Sequence, residues 1–463
     1  MKRFFLSYLI LFGFSAEAQI LNTSLNKQSP FTTYFNYAYQ LYPSIPKGLL
    51  EAVAWSQTRI THIDSTEAES CMGLPRVYGV MGLTLDGKNY FKNNLIKISA
   101  VSGYTTNEII SSPEKNILAY AKAYHIFLMQ KNNLQGWRKH EAVLTELSEL
   151  PEGNAMNDFA QKSFTYMVFT FLNDTEKQTQ YNFPNYAIDL QDIYGNNLQV
   201  LQAQKIKITT QGLKTGSGIS YQFTKDGVNY RSPDYGPALW NPAPSCNYSS
   251  RNGTPISAIT IHTIQGSYAG AISWSQNCNS NVSFHYVLRS SDGQITQMVL
   301  EANKAWHVGS ENPYTIGYEH EGYVSQPQWY TQVMYQASAN ISKDVCNSGY
   351  GINPLRTYFG NSSSGTNVLG NCTKNKGHQH YPNQTHTDPG INWDWEKYYK
   401  LINDNPIITP LNTSGGTFYD SGGPGGNYGN DERKLWLIAP PGATSITLTF
   451  GSFSLENNWD FLF

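Results

Sequence analysis

The chain has 463 residues and a formal net charge of −2, with 32 lysines and arginines against 34 aspartates and glutamates. This length predicts two to four domains, each able to bury its own core. Only 14% of the residues are charged, and no run of Lys or Arg is present, so nucleic acid and electrostatic membrane binding are poor candidate functions. These numbers leave the oligomeric state open.

The first residues have the pattern of a secretion signal. Lys2 and Arg3 form a basic start, and residues 4–14 are almost wholly apolar. Residues 16–18, Ala-Glu-Ala, fit the small-x-small rule for cleavage. The apolar stretch is too short to span a bilayer. We therefore expect residues 1–18 to be a signal peptide of a protein secreted to the periplasm or the medium, without membrane insertion.

The cysteines follow from that location. Export implies an oxidising compartment, in which cysteines pair. Cys246, Cys278, Cys346 and Cys372 surround a histidine-rich region and allow three pairings, between which the sequence does not decide. Cys71 stands alone near the N-terminus, and we expect it to be a free, buried thiol.

The pattern of apolar residues divides the chain into regions. Residues 28–180 have helical spacing, including a helix that starts at Pro113 with Ser111 or Ser112 as its cap. Residues 181–250 read as a linker, with one candidate strand at residues 206–210. Residues 251–403 mix strands and helices, which is typical of an α/β or α+β domain.

The last region has a β pattern. In residues 444–450, Ile446, Leu448 and Phe450 alternate with polar residues, which predicts a strand. About fifty residues are few for a β-sandwich. We therefore expect residues 413–463 to be part of an all-β domain in a truncated chain.

The loop between Gly377 and Gly390 has the densest set of candidate metal ligands. It contains three histidines and an aspartate, and a further histidine, His262, ends the β-branched run Ile-Thr-Ile at residues 259–261. A mixed His/Asp set suits a catalytic zinc better than a structural one. A histidine at a strand end is rigidly aimed, and two ligands from one loop can converge on it. The loop members are His378, His380, His386 and Asp388.

Five short segments occur in the order of a known family. They are Ala258-Ile-Thr-Ile-His-Thr263, Ser283-Phe-His-Tyr286, Ala305-Trp-His-Val-Gly309, Ile316-Gly-Tyr-Glu-His-Glu-Gly322, and Gly377-His378 with His386-Thr-Asp-Pro-Gly390. Together they make residues 251–403 resemble the type 2 N-acetylmuramoyl-L-alanine amidases, relatives of the peptidoglycan recognition proteins. The resemblance implies a mixed β-sheet flanked by helices. It also implies a zinc ion held by His262, His378 and Asp388, and His380 is the alternative to His378.

The same resemblance implies catalytic roles. Glu319 matches the family's general base, and Glu321, which shares its strand parity, reads as a solvated acid. His386 stands where many relatives have a lysine that stabilises the oxyanion. A histidine there can stabilise the oxyanion or orient Asp388.

Other positions of the family pattern have weaker implications. Trp306 and His307 are candidates for substrate binding, while His285 is a candidate core histidine. Phe284 lies at or near a position where some relatives have a catalytic tyrosine. Phenylalanine cannot donate a hydrogen bond, so we assign it to packing.

The flanking regions carry fainter resemblances. Residues 46–59, 78–83 and 116–121 resemble the lytic transglycosylase/lysozyme-like fold, but Gln57 aligns with the family's acidic glutamate and cannot donate a proton as a general acid. We expect this domain to bind glycan without cleaving it. Residues 413–463 resemble the first half of a CUB-like β domain, in which Glu456 and Asp460 match two calcium ligands of some relatives.

These patterns predict a multidomain, secreted, zinc-dependent enzyme that hydrolyses the amide bond between N-acetylmuramic acid and L-alanine in peptidoglycan. The alternative is a non-catalytic peptidoglycan-binding protein, since recognition relatives keep the fold while losing a ligand. A glycan-cleaving enzyme is a third hypothesis, against which Gln57 argues.

Overall fold

The computed structural model describes residues 29–202, 206–209, 212–215, 234–404, 408–429, 434–451 and 454–455. The predicted signal peptide and the candidate calcium ligands Glu456 and Asp460 lie outside these described residues. Within the described ranges, no helix is both long and apolar enough to cross a bilayer.

The N-terminal region is built from helices around an apolar core. They are α1 (Thr32–Leu41), α2 (Leu49–Thr58), α3 (Asn94–Ser102), α4 (Thr106–Ser111), α5 (Pro113–Gln130), α6 (Gly136–Leu147), α7 (Ala155–Asn173), α8 (Thr175–Tyr181), α9 (Leu190–Tyr194) and α10 (Leu198–Leu201), with the antiparallel strands β1 (Val77–Tyr78) and β2 (Leu83–Thr84) between α2 and α3. Ser112 caps α5 by accepting a hydrogen bond from the Lys115 N–H. The helices occupy the region with helical spacing; its likeness to lysozymes stays a prediction.

The segment expected to be a linker contains more structure than its sequence indicates. Helices α9 and α10 lie within it, and Leu198 and Leu201 of α10 are buried. β3 (Ile206–Thr209) pairs antiparallel with β4 (Gly212–Thr215), and β5 (Leu239–Trp240) joins the central sheet. Residues 181–250 therefore contain helices and a strand of the central sheet that the sequence does not indicate, because such short elements are defined by tertiary partners rather than by local pattern.

A mixed sheet with flanking helices forms the centre of the chain. The elements of this region are β6 (Tyr248–Ser250), β7 (Ala258–Thr263), α11 (Tyr268–Ser275), β8 (Tyr286–Leu288), β9 (Ile295–Gln297), β10 (Asn303–Ala305), β11 (Thr315–His320), α12 (Gln332–Asn347), β12 (Asn375–Gly377) and α13 (Trp395–Ile402). β6 and β10 pair with each other in a separate antiparallel sheet. The strand order is β12–β7–β11–β8–β9–β5, in which β9 is antiparallel to β8 and the other neighbours are parallel. The predicted central α/β domain with a mixed sheet is confirmed.

The two faces of this sheet pack against different partners. Ile259 and Ile261 of β7 share an apolar cluster with Tyr318 of β11 and with residues of α12 and α13. Because side chains alternate along a strand, His262 and Glu319 point to the opposite face. That face is covered by α11 and the N-terminal helices, which share a second cluster.

The N-terminal helices and the central domain share this second core. The Trp274 ring of α11 stacks on Phe91 with centroids 5.7 Å apart, and the Tyr90 hydroxyl donates to the Ser273 carbonyl over 2.6 Å. The fully buried Arg289 guanidinium donates to the Leu201 carbonyl over 3.0 Å. The two regions therefore pack as continuous structure.

The C-terminal region differs from its sequence pattern. β13 (Ile408–Leu411) pairs parallel with β14 (Leu435–Ile438). Residues 444–450 form no strand, and Ile446, Leu448 and Phe450 are 50%, 49% and 53% exposed. The strand prediction is wrong here, because alternation yields a strand only where a neighbouring strand supplies hydrogen bonds. The CUB-like resemblance stays a prediction.

The cysteines form one disulfide among the described residues, between Cys246 and Cys278. It ties the start of β6 to the loop after α11. Cys346 and Cys372 are free, and Cys71 is free but only partly buried.

Candidate metal centre and active site

Three neighbouring parallel strands bring the candidate residues to one edge of the sheet. His262 of β7 pairs in register with Glu319 of β11, and Gly377 of β12 pairs with Ile261. His378 follows Gly377 directly. Since the carboxyl ends of parallel strands meet at one edge, these three side chains converge there without any further loop.

Asp388 joins the two histidines from the loop that follows β12. Its Oδ2 lies 3.0 Å from His262 Nδ1, and its Oδ1 lies 3.3 Å from His378 Nδ1. Cys71 of the N-terminal region is the fourth member, with its Sγ 3.9 Å from His262 Nδ1. The four ligand atoms all lie within 4.8 Å of one another.

These atoms fit a zinc ion in both chemistry and spacing. Zinc bound tetrahedrally at about 2.0–2.3 Å separates neighbouring ligand atoms by roughly 3.3–3.8 Å, against 3.0, 3.3 and 3.9 Å for the three pairs of atoms given above. His378 Nδ1 and Glu319 Oε2 are buried and have no hydrogen-bond partner among the described residues. Buried polar atoms are normally satisfied, so these two indicate a partner such as a cation and its bound ligand.

Close backbone approach fixes the position of Asp388. A Cβ atom on Gly377 would lie 2.4 Å from Pro389 Cδ, so only glycine lets the loop pack this closely on β12. The Gln379 N–H donates to the Asp388 carbonyl over 3.0 Å, and the Gln379 side chain accepts from the Gly390 N–H. The glycines that bound the loop therefore hold its carboxylate in place.

A second layer of side chains orients the two histidines. His378 Nε2 shares a 2.8 Å hydrogen bond with Gln384 Oε1, and His262 Nε2 shares one of 2.9 Å with His307 Nδ1. Each bond turns Nδ1 toward Asp388, as outer partners do for metal-binding histidines. A Cβ atom on Gly317 would lie 2.5 Å from His307 Nδ1, so the glycine leaves room for this ring.

The sequence predicts that His307 binds substrate, and in the structure its ring lies beside His262. The ring is only 8% exposed and lies behind His262, with its Nε2 3.2 Å from Thr315 Oγ1. Its two ring nitrogens therefore face His262 and Thr315, and its role in substrate binding stays a prediction. The indole of Trp306 is half-buried and donates to Ser249 Oγ over 3.1 Å.

Glu319 lies beside the cluster with one oxygen unpaired. Its Oε1 is 3.9 Å from both His262 Nδ1 and Cys71 Sγ. Burial raises the pKa of this carboxyl well above its ordinary value, and the negative charge of Asp388 raises it further. A divalent cation in the cluster would offset both effects and favour the carboxylate form.

The charge of Asp388 dominates the electrostatics of the cluster. Burial opposes its ionisation, but the charge of His378 and the hydrogen bond from His262 hold its pKa well below the ordinary value. At His378 burial is outweighed by the charge of Asp388, which raises the pKa of that imidazole. Burial lowers the pKa of His262 to about 4.

Glu321 and His380, the alternatives to Glu319 and His378 in the sequence, have structural roles. Glu321 is fully buried, and its oxygens accept from the Tyr268 and Ser290 N–H groups, each over 2.9 Å. The interpretation of Glu321 as a solvated acid was therefore wrong. His380 Nδ1 accepts from the Gly377 N–H over 3.0 Å, and its ring packs on Trp395, so it lies outside the cluster.

The remaining residues singled out in the sequence are half-buried or buried. The ring of His386 is half-buried, and its centroid lies 5.3 Å from that of His378. Burial lowers the pKa of His386, while the negative charge of Asp388 opposes this effect.

Phe284 is fully buried in the shared core, in agreement with a packing role. His285 is a core histidine whose Nδ1 accepts from the Gly317 N–H. Gln57 is buried and donates to Glu149 Oε2 over 3.4 Å.

Cys71 is the site residue that sequence reasoning missed. It was expected to be a buried free thiol, and the structure brings its Sγ to the candidate metal centre. It lies 191 positions before His262 and belongs to none of the five matching segments. Only the packing of the N-terminal region on the sheet brings it there.

Comparisons with known proteins match this part of the chain. A sequence profile of N-acetylmuramoyl-L-alanine amidases matches residues 252–391, which include every candidate ligand except Cys71. N-acetylmuramoyl-L-alanine amidase A of Achromobacter lyticus is 43% identical over 171 residues, covering 37% of this chain and 96% of that protein.

Solved structures of related proteins are more distant. The selenomethionine derivative of AmpD is 22% identical, with a TM-score of 0.28 over 36% of this chain and 94% of that one. The Staphylococcus aureus hydrolase AmiA, in complex with its ligand, is 18% identical, with a TM-score of 0.27 over 34% of this chain and 77% of that one.

The similarity to the Achromobacter enzyme extends over nearly its whole length. The matching profile covers the strands and the loop that form the candidate site. The chain therefore belongs to the N-acetylmuramoyl-L-alanine amidase family and is an amidase acting on peptidoglycan.

Proposed function

We propose that this amidase depends on zinc and that His262, His378 and Asp388 hold the ion. The observation that supports this is their convergence on one point, beside the buried and unsatisfied atoms His378 Nδ1 and Glu319 Oε2. Two imidazoles and one carboxylate are a donor set of catalytic zinc sites. When bound, zinc supplies Lewis acidity toward the amide carbonyl and the attacking water.

In this proposal Glu319 is the general base. Its strand holds it next to the cluster, and its free Oε2 is available to accept a proton from water. Water then adds to the carbonyl carbon of the lactyl group. As the C–N bond breaks, Glu319 passes the same proton to the leaving amine of L-alanine, so the carboxylate is regenerated.

His386 and Trp306 complete the proposed site. His386 lies next to His378 and is half exposed, so its ring N–H can donate to the oxyanion formed during attack. Trp306 offers a half-buried ring for contact with the substrate. His307 is assigned to holding His262 instead.

The flanking regions and the location are part of the same proposal. Residues 1–18 direct secretion, and the Cys246–Cys278 bond is in accord with an oxidising compartment. The helical N-terminal domain is assigned to glycan contact without glycan cleavage, since Gln57 stands where a proton donor is required.

Replacing a ligand should remove the metal. We expect His262→Ala, His378→Ala and Asp388→Ala each to weaken zinc binding by more than the roughly 10–100-fold typical of second-layer changes, measured as zinc per chain after dialysis against graded chelator. His380→Ala is the matched control and should retain zinc. Retention in His378→Ala with loss in His380→Ala would reverse the assignment.

Replacing the proposed base should abolish turnover and leave the metal bound. We expect Glu319→Gln to lower the release of stem peptides with a free L-alanine amine by about 10²–10⁴-fold, at unchanged zinc content. The surface variant Glu152→Gln is the control. Because Cys71 lies beside Glu319, the comparison is made with Cys71 intact and replaced by alanine. Full activity of Glu319→Gln in both backgrounds would refute its role.

Replacing His307 should act through the metal rather than through the substrate. Because His262 loses its hydrogen-bond partner, we expect His307→Ala to weaken zinc affinity by about 10–100-fold. The variant should recover most of its activity at saturating zinc. A raised KM at unchanged zinc affinity would instead restore the role in substrate binding.

Two features of the exported protein should show that it was secreted. A non-reducing peptide map by mass spectrometry should show a mature chain that begins near Gln19 and a linked peptide pair containing Cys246 and Cys278. An exported protein that retains residues 1–18, with both cysteines as thiols, would contradict the proposed secretion.

A further inference from the structure

The segment between α2 and β1 crosses from the N-terminal region to the metal centre. We call residues 64–76 the Cys71 loop. Its base is closed, because Ile63 and Gly79 exchange two backbone hydrogen bonds of 3.4 and 2.7 Å. A loop of this length with adjoining ends is a compact surface unit that can move or be replaced without changing its anchor points.

Hydrogen bonds to the central domain hold the tip of this loop over the site. On one side of Cys71, Ser70 Oγ donates to the Ile264 carbonyl over 2.6 Å. On the other side, the Met72 carbonyl accepts from Trp274 Nε1 over 2.7 Å. The thiol is therefore held between two fixed neighbours, and its direction is set by the fold.

A second set of contacts spans the edge of the sheet. Glu67 Oε1 accepts from Gln265 Nε2 over 3.2 Å, and Glu67 Oε2 accepts from Ser325 Oγ over 2.7 Å. Gln265 follows β7, and Ser325 follows β11. The loop is thus bound to both segments that extend from the strands bearing His262 and Glu319.

The thiol occupies the space that the reaction needs. Cys71 Sγ, His262 Nδ1 and Glu319 Oε1 each lie 3.9 Å from the other two, so the thiol is next to both the cluster and the proposed base. A general base acts across about 2.6–3.2 Å, so water and the amide must enter this same space. Independent of the cysteine, the buried and unsatisfied His378 Nδ1 and Glu319 Oε2 mark this point as a ligand site.

We propose that the Cys71 loop is a built-in inhibitor, in which the Cys71 thiolate is the fourth zinc ligand and keeps the amidase latent until the loop moves away. The proposal rests on the zinc site of the proposed function. Catalytic zinc has three protein ligands and an open position, whereas four protein ligands close the site. Cys71 completes such a closed set with His262, His378 and Asp388.

The loop can open locally. Residues 64–66, 68 and 69 are exposed and belong to no helix or strand, whereas the core around Trp274 is shared by both regions. Release of the loop breaks a few hydrogen bonds and one metal bond and exposes the buried Met72 side chain. The amidase can therefore be freed while the N-terminal helices stay in place.

The coordination is tested without reference to activity. Cobalt(II) replaces zinc in the full chain, and a thiolate ligand gives a charge-transfer band in the near ultraviolet. We expect this band in the wild type and in the matched control Cys372→Ala, and its loss in Cys71→Ala. Alkylation of Cys71, followed by mass spectrometry, should be slow with metal and fast after chelation. Absence of the band with equal alkylation rates would overturn the proposal.

The inhibition is tested by removing the thiol and then the loop. In one variant Cys71→Ala opens the fourth position, and in another a short Gly-Ser turn replaces residues 65–75, which the paired ends at Ile63 and Gly79 permit. We expect release of stem peptides with a free L-alanine amine to rise at least about tenfold, equivalent to roughly 1.4 kcal/mol in barrier, in the loop replacement and to a smaller extent in Cys71→Ala.

The outcomes separate the two proposals. Wild-type activity equal to that of the loop replacement would refute inhibition while leaving the zinc amidase intact. No free-amine product from any variant, although zinc is bound, would refute the proposed catalytic site instead. A zinc content of one per chain in both variants, with activity only after the change, supports both.

Discussion

The site depends on the parallel register of three strands. His262 and Glu319 are paired residues of β7 and β11, and Gly377 of β12 pairs one residue before His262. Neighbouring strands lie about 4.7–4.9 Å apart, so side chains at the same level on one face must meet. A slip of one residue would turn both functional side chains into the apolar cluster under α12. The hydrophobic residues at 259 and 261 thus specify the register of the site as well as the core.

Asp388 is the candidate ligand whose position this register does not determine. Its position comes from the contact of Pro389 with Gly377, where a side chain would collide. The negative charge of Asp388 attracts the Nδ1 atoms of His262 and His378, although burial disfavours the charged forms of these two rings. Gly377 and Asp388 therefore act together in positioning the carboxylate, although eleven positions separate them.

Sequence reasoning found what local pattern determines. The β-branched run before His262, the strand that bears Glu319 and the glycine before His378 can each be read from a few residues, and the structure brings those side chains together. Glu321 has the parity of Glu319, but the backbone donors that satisfy it come from Tyr268 and Ser290 of distant segments. Residues 444–450 alternate without forming a strand, because alternation carries no information about a neighbour.

Cys71 shows that local sequence pattern also fails to predict part of the site itself. No spacing rule connects a cysteine in a surface loop with a histidine 191 residues later. The contact exists because α11 packs on the N-terminal helices and holds the backbone at Met72. A residue whose role is defined by a partner region can be recognised only when both regions are seen together.

The shared core decides which part of the molecule can regulate the site. Arg289 is fully buried between the two regions and donates to Ser163 Oγ and the Leu201 carbonyl. Separating the regions would break both of these hydrogen bonds to the Arg289 guanidinium and would also expose the aromatic cluster around Trp274. The Cys71 loop contributes only Met72 to this core, with Cys71 and Leu74 packed against it, while its residues 64–66, 68 and 69 are exposed. The proposed movement of the loop therefore disrupts less of the shared core than release of the whole N-terminal region, and the N-terminal helices hold the ends of the loop next to the candidate metal centre.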